Sequence, residues 1–210
     1  MRRLLPELVV ASASYGFSIG ASHSLTYATR NLVKFPLLIL TTTTICAVAY
    51  YVIACFLAPR LGFRAVQRFV VVLFRDTSVL LASMSPVMLF LAWTMEPPKS
   101  ISDLGGYPFF QGINVALIAL CGSIALVRGA RSLLSEFGIA AHTCVVLMAF
   151  WLGLSLVTGG QAAWYMRPFF GISLGGVDAP FFSGTAPDFR GATNFFEAVY
   201  NLIAPPSVVR

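Results

Sequence analysis

The chain has 210 residues, of which 58% are hydrophobic and 10% are charged, and its formal net charge is +6. Soluble globular domains carry about 25% charged residues, so this composition excludes an ordinary soluble domain. The apolar residues form long runs along most of the chain, which predicts a single integral membrane domain over residues 1–210.

Four apolar runs approach the ~20 residues that a bilayer core requires. They cover residues 36–57, 77–95, 110–127 and 139–157. The connections are short, so neighbouring spans should pack antiparallel, and Pro86 should kink the second one. The sequence predicts an all-α membrane protein, a polytopic bundle of four transmembrane helices, or five, with interfacial amphipathic helices.

Residues 1–34 allow two interpretations. They form either an amphipathic helix in the membrane interface or, over residues 4–28, a weakly hydrophobic fifth span held by its neighbours. Gly16 and Gly20 make a G-x-x-x-G pattern, which lets two helices approach closely in lipid. We expect these glycines to dock another helix.

Four arginines follow the first span, at positions 60, 64, 68 and 75. At 100° per residue, Arg60, Arg64, Arg68 and Arg75 fall within about 80° of a helix surface. This pattern predicts a basic amphipathic helix that runs into the second span and bends near residues 75–78. The stripe either anchors to anionic lipids, at about 1 kcal/mol per arginine, or docks an acidic partner protein. It lacks the interleaved aromatic residues of single-strand binders, so no nucleic acid partner is expected.

Basic residues also suggest an orientation. Arginine-rich loops favour the cytoplasm, which predicts that residues 58–76 and 128–138 are cytoplasmic and residues 96–109 are outside. Arg30 and Lys34 precede the first span and oppose this assignment, so the orientation of the termini stays open.

Ionisable residues are expected only at or beyond the span ends, as for Asp76, Glu96 and Glu136. Ion-coupled transport normally uses ionisable groups at membrane depth, so this pattern weighs against an active transporter. The hydroxyls of residues 41–44 should bond back to their own helix. A channel or transporter for a small neutral or lipidic solute, using this run and Pro86, stays as the alternative.

Catalytic and metal-binding motifs are not apparent in the sequence. We therefore expect no enzyme activity, no catalytic residue, no metal and no cofactor. A weaker alternative is a haem- or pigment-binding electron-transfer subunit that would use His23 and His142.

The C-terminal segment, residues 159–210, is predicted to lie folded across the membrane surface. Pro168 should end the fourth helix at Arg167. Trp164 and Arg167 either mark the exit from the membrane or form a clasp in which Arg167 pairs with Glu197, Asp178 or Asp188. Asn194 should cap a short helix with Glu197 at its third position.

Paired phenylalanines recur in this segment and should contact lipid or protein, because exposed apolar pairs are otherwise a liability. The predicted partner- or lipid-docking residues are Arg60, Arg64, Arg68, Arg75, Gly16, Gly20, Trp164, Arg167, Phe169, Phe170, Phe181, Phe182, Phe195, Phe196 and Glu197.

The stretches "GGQAAWYMRPFFG" at 159–171 and "NFFEAVY" at 194–200 resemble the motifs Q-x-x-W-x-x-R-P-F and N-F-F-E-A. These motifs belong to a family of uncharacterised polytopic bacterial inner-membrane proteins, and the chain is more loosely similar to Yip1-type multi-span proteins. The resemblance implies a location in the bacterial inner (cytoplasmic) membrane and no particular activity.

Together these features predict a non-enzymatic accessory or scaffold subunit. Its expected partners are other integral membrane subunits of a larger complex and anionic lipids.

Overall fold

A computed structural model describes residues 3–22, 24–96, 105–169, 180–185 and 191–203, and for residues 202 and 203 it describes the backbone alone. Within these ranges the chain forms helices and no strands. They are α1 (Leu4–Gly20), α2 (Leu25–Leu57), α3 (Phe63–Ser83), α4 (Ser85–Thr94), α5 (Tyr107–Phe137), α6 (Ala141–Met166) and α7 (Phe195–Ile203).

Three helices, α2, α5 and α6, are long and apolar enough to cross a membrane. The pair α3 and α4 passes the same test as one bent unit, which makes a fourth. The predicted all-α helix-bundle class is confirmed, and the chain is a multi-pass membrane protein.

The first predicted span is part of a longer helix. Ser24 caps α2 by accepting a hydrogen bond from the Tyr27 N–H at 3.3 Å, so residues 25–34 belong to the same helix as residues 36–57. The prediction of a separate unit over residues 1–34 is therefore wrong, because Arg30 and Lys34 lie inside α2. Its 33 residues measure about 50 Å, well beyond the ~30 Å hydrocarbon core.

Helix α1 packs inside the bundle, against α2, α3 and α4. Close approach to α2 occurs at the two glycines. A Cβ added at Gly16 would lie 2.5 Å from the Asn31 carbonyl oxygen, and one added at Gly20 would lie 2.5 Å from that of Tyr27. The G-x-x-x-G face is thus occupied by α2 of the same chain, which corrects its expected role in docking a partner. The 17 residues of α1 span about 25 Å.

The second predicted span has the kink expected from Pro86, but not the bend expected near residues 75–78. Helix α3 is continuous through residues 75–78, and a 46° bend separates it from α4 at Met84. Pro86 lies in the first turn of α4, where it cannot supply the N–H that a continuous helix needs. Pro86 therefore causes the bend, and the charged residues Arg75 and Asp76 do not.

The later helices are longer than their apolar runs. Helix α5 continues to Phe137 and ends at Gly138, whose φ of 58° is left-handed, a conformation that favours glycine. Residues 128–137 are thus helical and not a loop. Helix α6 extends to Met166, so residues 159–166 are its last two turns and not the start of a surface tail.

The α2–α6 contact is centred on two buried rings. Tyr50 and Trp151 stack with centroids 4.6 Å apart, and each side chain donates to the other's backbone. The Tyr50 hydroxyl donates to the Trp151 carbonyl at 2.8 Å, and the Trp151 Nε1–H donates to the Tyr50 carbonyl at 3.3 Å. The Tyr50 hydroxyl also contacts the Ser155 hydroxyl.

Candidate functional site

Lys34 is the most deeply buried charged side chain described, with 1% of its surface exposed. Its Nζ donates to the Pro168 carbonyl at 3.0 Å. The same nitrogen lies 4.8, 5.4 and 5.9 Å from the ring centroids of Phe181, Phe182 and Phe169. We call Lys34 with these three rings the lysine cage. A desolvated ammonium over aromatic faces is worth about 2 kcal/mol.

The lysine cage joins three segments that are distant in sequence. The Asn31 side chain, one turn before Lys34 on α2, donates to the Phe169 carbonyl at 2.7 Å. Beyond α6, the N–H of Ser183 donates to the Arg167 carbonyl at 2.7 Å. The start of α2, the end of α6 and residues 180–185 are thereby fastened together.

Arg167 and Trp164 contact each other at the end of α6. Arg167 ends α6 as predicted, and its peptide bond to Pro168 is cis. Its Nε donates to the Trp164 carbonyl at 3.0 Å, and its Cζ lies 3.3 Å from the Trp164 ring centroid. Trp164 is only 5% exposed, so it packs within the protein.

Glu197 serves the helix cap and not the clasp. Asn194 accepts a hydrogen bond from the Glu197 N–H at 3.0 Å, as predicted for a cap. The Glu197 carboxylate accepts the N–H and hydroxyl of Thr193 at 2.8 and 2.9 Å, and these bonds lower its pKa below the ordinary value. The prediction that Arg167 pairs with Glu197 is therefore wrong. Asp178 and Asp188 lie outside the described residues.

The phenylalanines divide into buried and exposed members. Phe169 is buried, whereas Phe181, Phe182 and Phe196 are exposed on their outer edges. Phe195 packs on Gly160, where an added Cβ would lie 2.6 Å from its Cδ1, and so holds α7 against α6. Phe170 lies outside the described residues.

The arginine stripe is exposed along its first three members. Arg60, Arg64 and Arg68 point away from the bundle, while Val66 and Val70 on the opposite face are buried. We call these three the arginine face. Arg128 and Arg131 on α5 are also exposed. They lie at the same end of the bundle as the arginine face, because Phe69 on α3 contacts Gly129 on α5.

Arg75 leaves the stripe. Its Nε lies 3.2 Å from a Glu7 oxygen of α1, and its Nη1 lies 2.6 Å from an Asp76 oxygen. Arg75 is thus part of a charged cluster between α1 and α3, about 18 Å along α3 from its first residue. Arg75 and Asp76 lie just before the second predicted span, residues 77–95, and Lys34 lies just before the first, residues 36–57.

Two further sequence candidates have plain local roles. His142 is exposed in the first turn of α6 beside the Thr143 hydroxyl, and His23 lies outside the described residues. The hydroxyls of Thr42, Thr43 and Thr44 each donate to the carbonyl four residues earlier, at 2.6–2.8 Å. They satisfy their own helix, as expected, and form no continuous polar path.

Sequence reasoning missed Asn31 and Lys34. Placing the first span at residue 36 left both in a supposed interfacial segment. Their i, i+3 spacing just before Pro36 was a usable signal, since it puts an amide and an amine on one helix face.

The sequence matches no family model, no curated protein and no solved structure.

Replacing Lys34 with alanine should release residues 180–185 from the end of α6. The change removes the contacts to three rings and one hydrogen bond, a loss of about 2 kcal/mol. We expect a lower thermal midpoint in detergent and faster proteolysis between residues 180 and 185. Val33→Ala, at an exposed neighbouring position, should leave both unchanged. Equal proteolysis of the two variants would show that the lysine cage does not hold this segment.

Proposed function

We propose that this protein is a non-enzymatic accessory subunit of the bacterial inner membrane that packs against other integral membrane subunits. The observation that carries the proposal is the arginine face. Arg64 and Arg68 project from α3, and Arg60 is exposed in the turn just before it, while the opposite side of the same helix is fixed in the bundle. Rigid, exposed cations on a membrane helix suit an acidic protein surface and the anionic lipids beside it.

The apolar surface supports the same proposal. In α4, Met88 is the only buried residue, while Val87, Phe90 and Trp93 are exposed. Aromatic residues are enriched in the centres of protein interfaces. Together with the arginine face, this helix offers a second contact for a neighbouring subunit.

The proposal is tested by native-size analysis after extraction in a mild detergent, with mass spectrometry of the co-migrating proteins. We expect a large assembly that contains the same other subunits in repeated preparations. In the double variant Arg64→Ala, Arg68→Ala the assembly should weaken about 30-fold, at about 1 kcal/mol for each arginine. The matched variant Arg64→Lys, Arg68→Lys keeps both charges and should retain most of the assembly.

Migration of the chain without other proteins, as a monomer or a small homo-oligomer, would overturn the proposal. So would an assembly whose size and composition do not change in the alanine variant.

A further inference from the structure

A lateral groove of about 550 Å³ lies between α1 and α3. One wall carries Glu7, Ala11 and Ser14, and the other carries Val79 and Ala82. Positions 7, 11 and 14 of α1 are separated by four and three residues. Positions 79 and 82 of α3 continue the same spacing from Arg75, so each set lies along one face of its helix. Ala11, Ser14 and Ala82 are small enough for a third membrane helix to approach closely, and Pro6 and Val10 also line the groove.

The charged end of this groove lies beside a cluster of two carboxylates and one guanidinium. Glu7 contacts Arg75 Nε at 3.2 Å without forming a hydrogen bond, and Arg75 gives its Nη1 to Asp76. One guanidinium therefore serves two carboxylates. Arg3 lies a turn earlier on α1, outside the groove lining. A further cation beside Glu7 would complete the cluster, because an unbalanced charge facing lipid is costly.

Helix α5 presents a matching surface. Leu120, Ile124 and Arg128 are exposed and fall at 0°, 40° and 80° around the helix. The buried residues Cys121 and Ala125 lie at about 100° and 140°, on the neighbouring face that packs in the bundle. We call the three exposed residues the α5 stripe: two branched apolar side chains followed by a cation.

The α5 stripe stands at the same height as the groove. Phe69 contacts Gly129, and the start of α5 adjoins Met95 at the end of α4, so α5 runs antiparallel to α3. Val79 lies ten residues after Phe69, and Leu120 lies nine residues before Gly129. These two are level to within one residue.

Arg128 stands about 7.5 Å from the height of Arg75 and its partner Glu7. Side chains lean toward the N-terminus of their own helix. Arg128 on α5 and Glu7 on α1 therefore lean toward each other when the two helices are antiparallel.

We infer that a second copy of this chain, in the same membrane orientation, places its α5 stripe in the α1–α3 groove. Leu120 lies against Val79 and Ala11, and Arg128 pairs with Glu7. The inference goes beyond the proposed function, because it concerns contacts between copies and not with other subunits.

The test is a disulfide between two differently tagged copies, one carrying Val79→Cys and the other Leu120→Cys. Both are made in a Cys55→Ala background, since Cys55 is the exposed native thiol among the four cysteines. We expect an oxidant to yield a dimer that carries both tags. Val157→Cys, at an exposed position on α6, replaces Leu120→Cys in the control and should yield none.

Arg128→Gln should reduce the cross-linked dimer about tenfold or more, because it leaves Glu7 without its second cation. Arg128 is exposed in the single chain, so this variant keeps its fold. Three results would overturn the inference: equal yields with Val157→Cys, no effect of Arg128→Gln, or cross-linking of Val79→Cys to a different protein. A chain that stays monomeric with lipid in the groove would also overturn it.

Discussion

Gly20→Ala should detach α1 from α2 and destabilise the protein by about 3 kcal/mol. An added Cβ would lie 2.5, 2.6 and 2.7 Å from the Tyr27 oxygen, the Tyr27 carbonyl carbon and the Ala28 Cα. All three are backbone atoms, so no side-chain rotation can relieve the contact. The helices would have to separate, and the backbone contacts that draw them together in lipid would be lost.

The free energy of unfolding in mixed micelles measures this effect, and Gly153→Ala is its matched control. Gly153 also lies within a helix, but an added Cβ there meets no atom within 4 Å. Alanine is the better helix former by about 1 kcal/mol, so the control should be neutral or slightly stabilising. If both variants unfold alike, the close approach of α1 and α2 does not contribute to stability.

Hydropathy located the apolar centre of each span but not the helix ends. Helix α2 begins at Leu25 because Ser24 caps it and because its first ten residues pack against α1. Neither cause changes the mean hydropathy of a window. The same limitation placed the end of α5 too early, since a helix continues through polar residues while its backbone bonds are satisfied.

Local patterns were read correctly where the partners are close in sequence. The Asn194 cap, the end of α6 at Arg167 and the back-bonded threonines each involve residues three or four apart, or a neighbouring proline. Local chemistry determines such features, so a single sequence suffices to predict them.

Contacts between residues that are far apart in the sequence could not be predicted from such local patterns. A clasp for the C-terminal segment was expected from Arg167 with Glu197, Asp178 or Asp188; Glu197 serves the helix cap, and the two aspartates lie outside the described residues. The contact made by Lys34, which is 134 residues from its acceptor Pro168, was not predicted. Arg75 was likewise assigned to the arginine stripe from its helical angle alone. No residue near it in the sequence indicates that α1 places Glu7 beside it.

Trp151→Ala should be the most destabilising change in the α2–α6 contact, by about 3–5 kcal/mol. The side chain is fully buried, stacks on Tyr50 and contacts Phe69 with ring centroids 4.8 Å apart. Its removal leaves a cavity bounded by three helices and removes the hydrogen bond to the Tyr50 carbonyl. Since lipid is as apolar as the core, most of this cost is lost packing and not exposure to water.

Trp93→Ala tests the same substitution at a position that is 76% exposed on α4. It should change the free energy of unfolding by less than about 0.5 kcal/mol, because detergent or lipid replaces the lost contacts. Tyr50→Phe should fall between the two, at about 1 kcal/mol, since it keeps the stacked ring and removes only the hydroxyl bonds. The order Trp151→Ala, Tyr50→Phe, Trp93→Ala therefore separates ring packing from hydrogen bonding. If Tyr50→Phe matched Trp151→Ala, the hydroxyl network, and not the stacked rings, would hold α6 against α2.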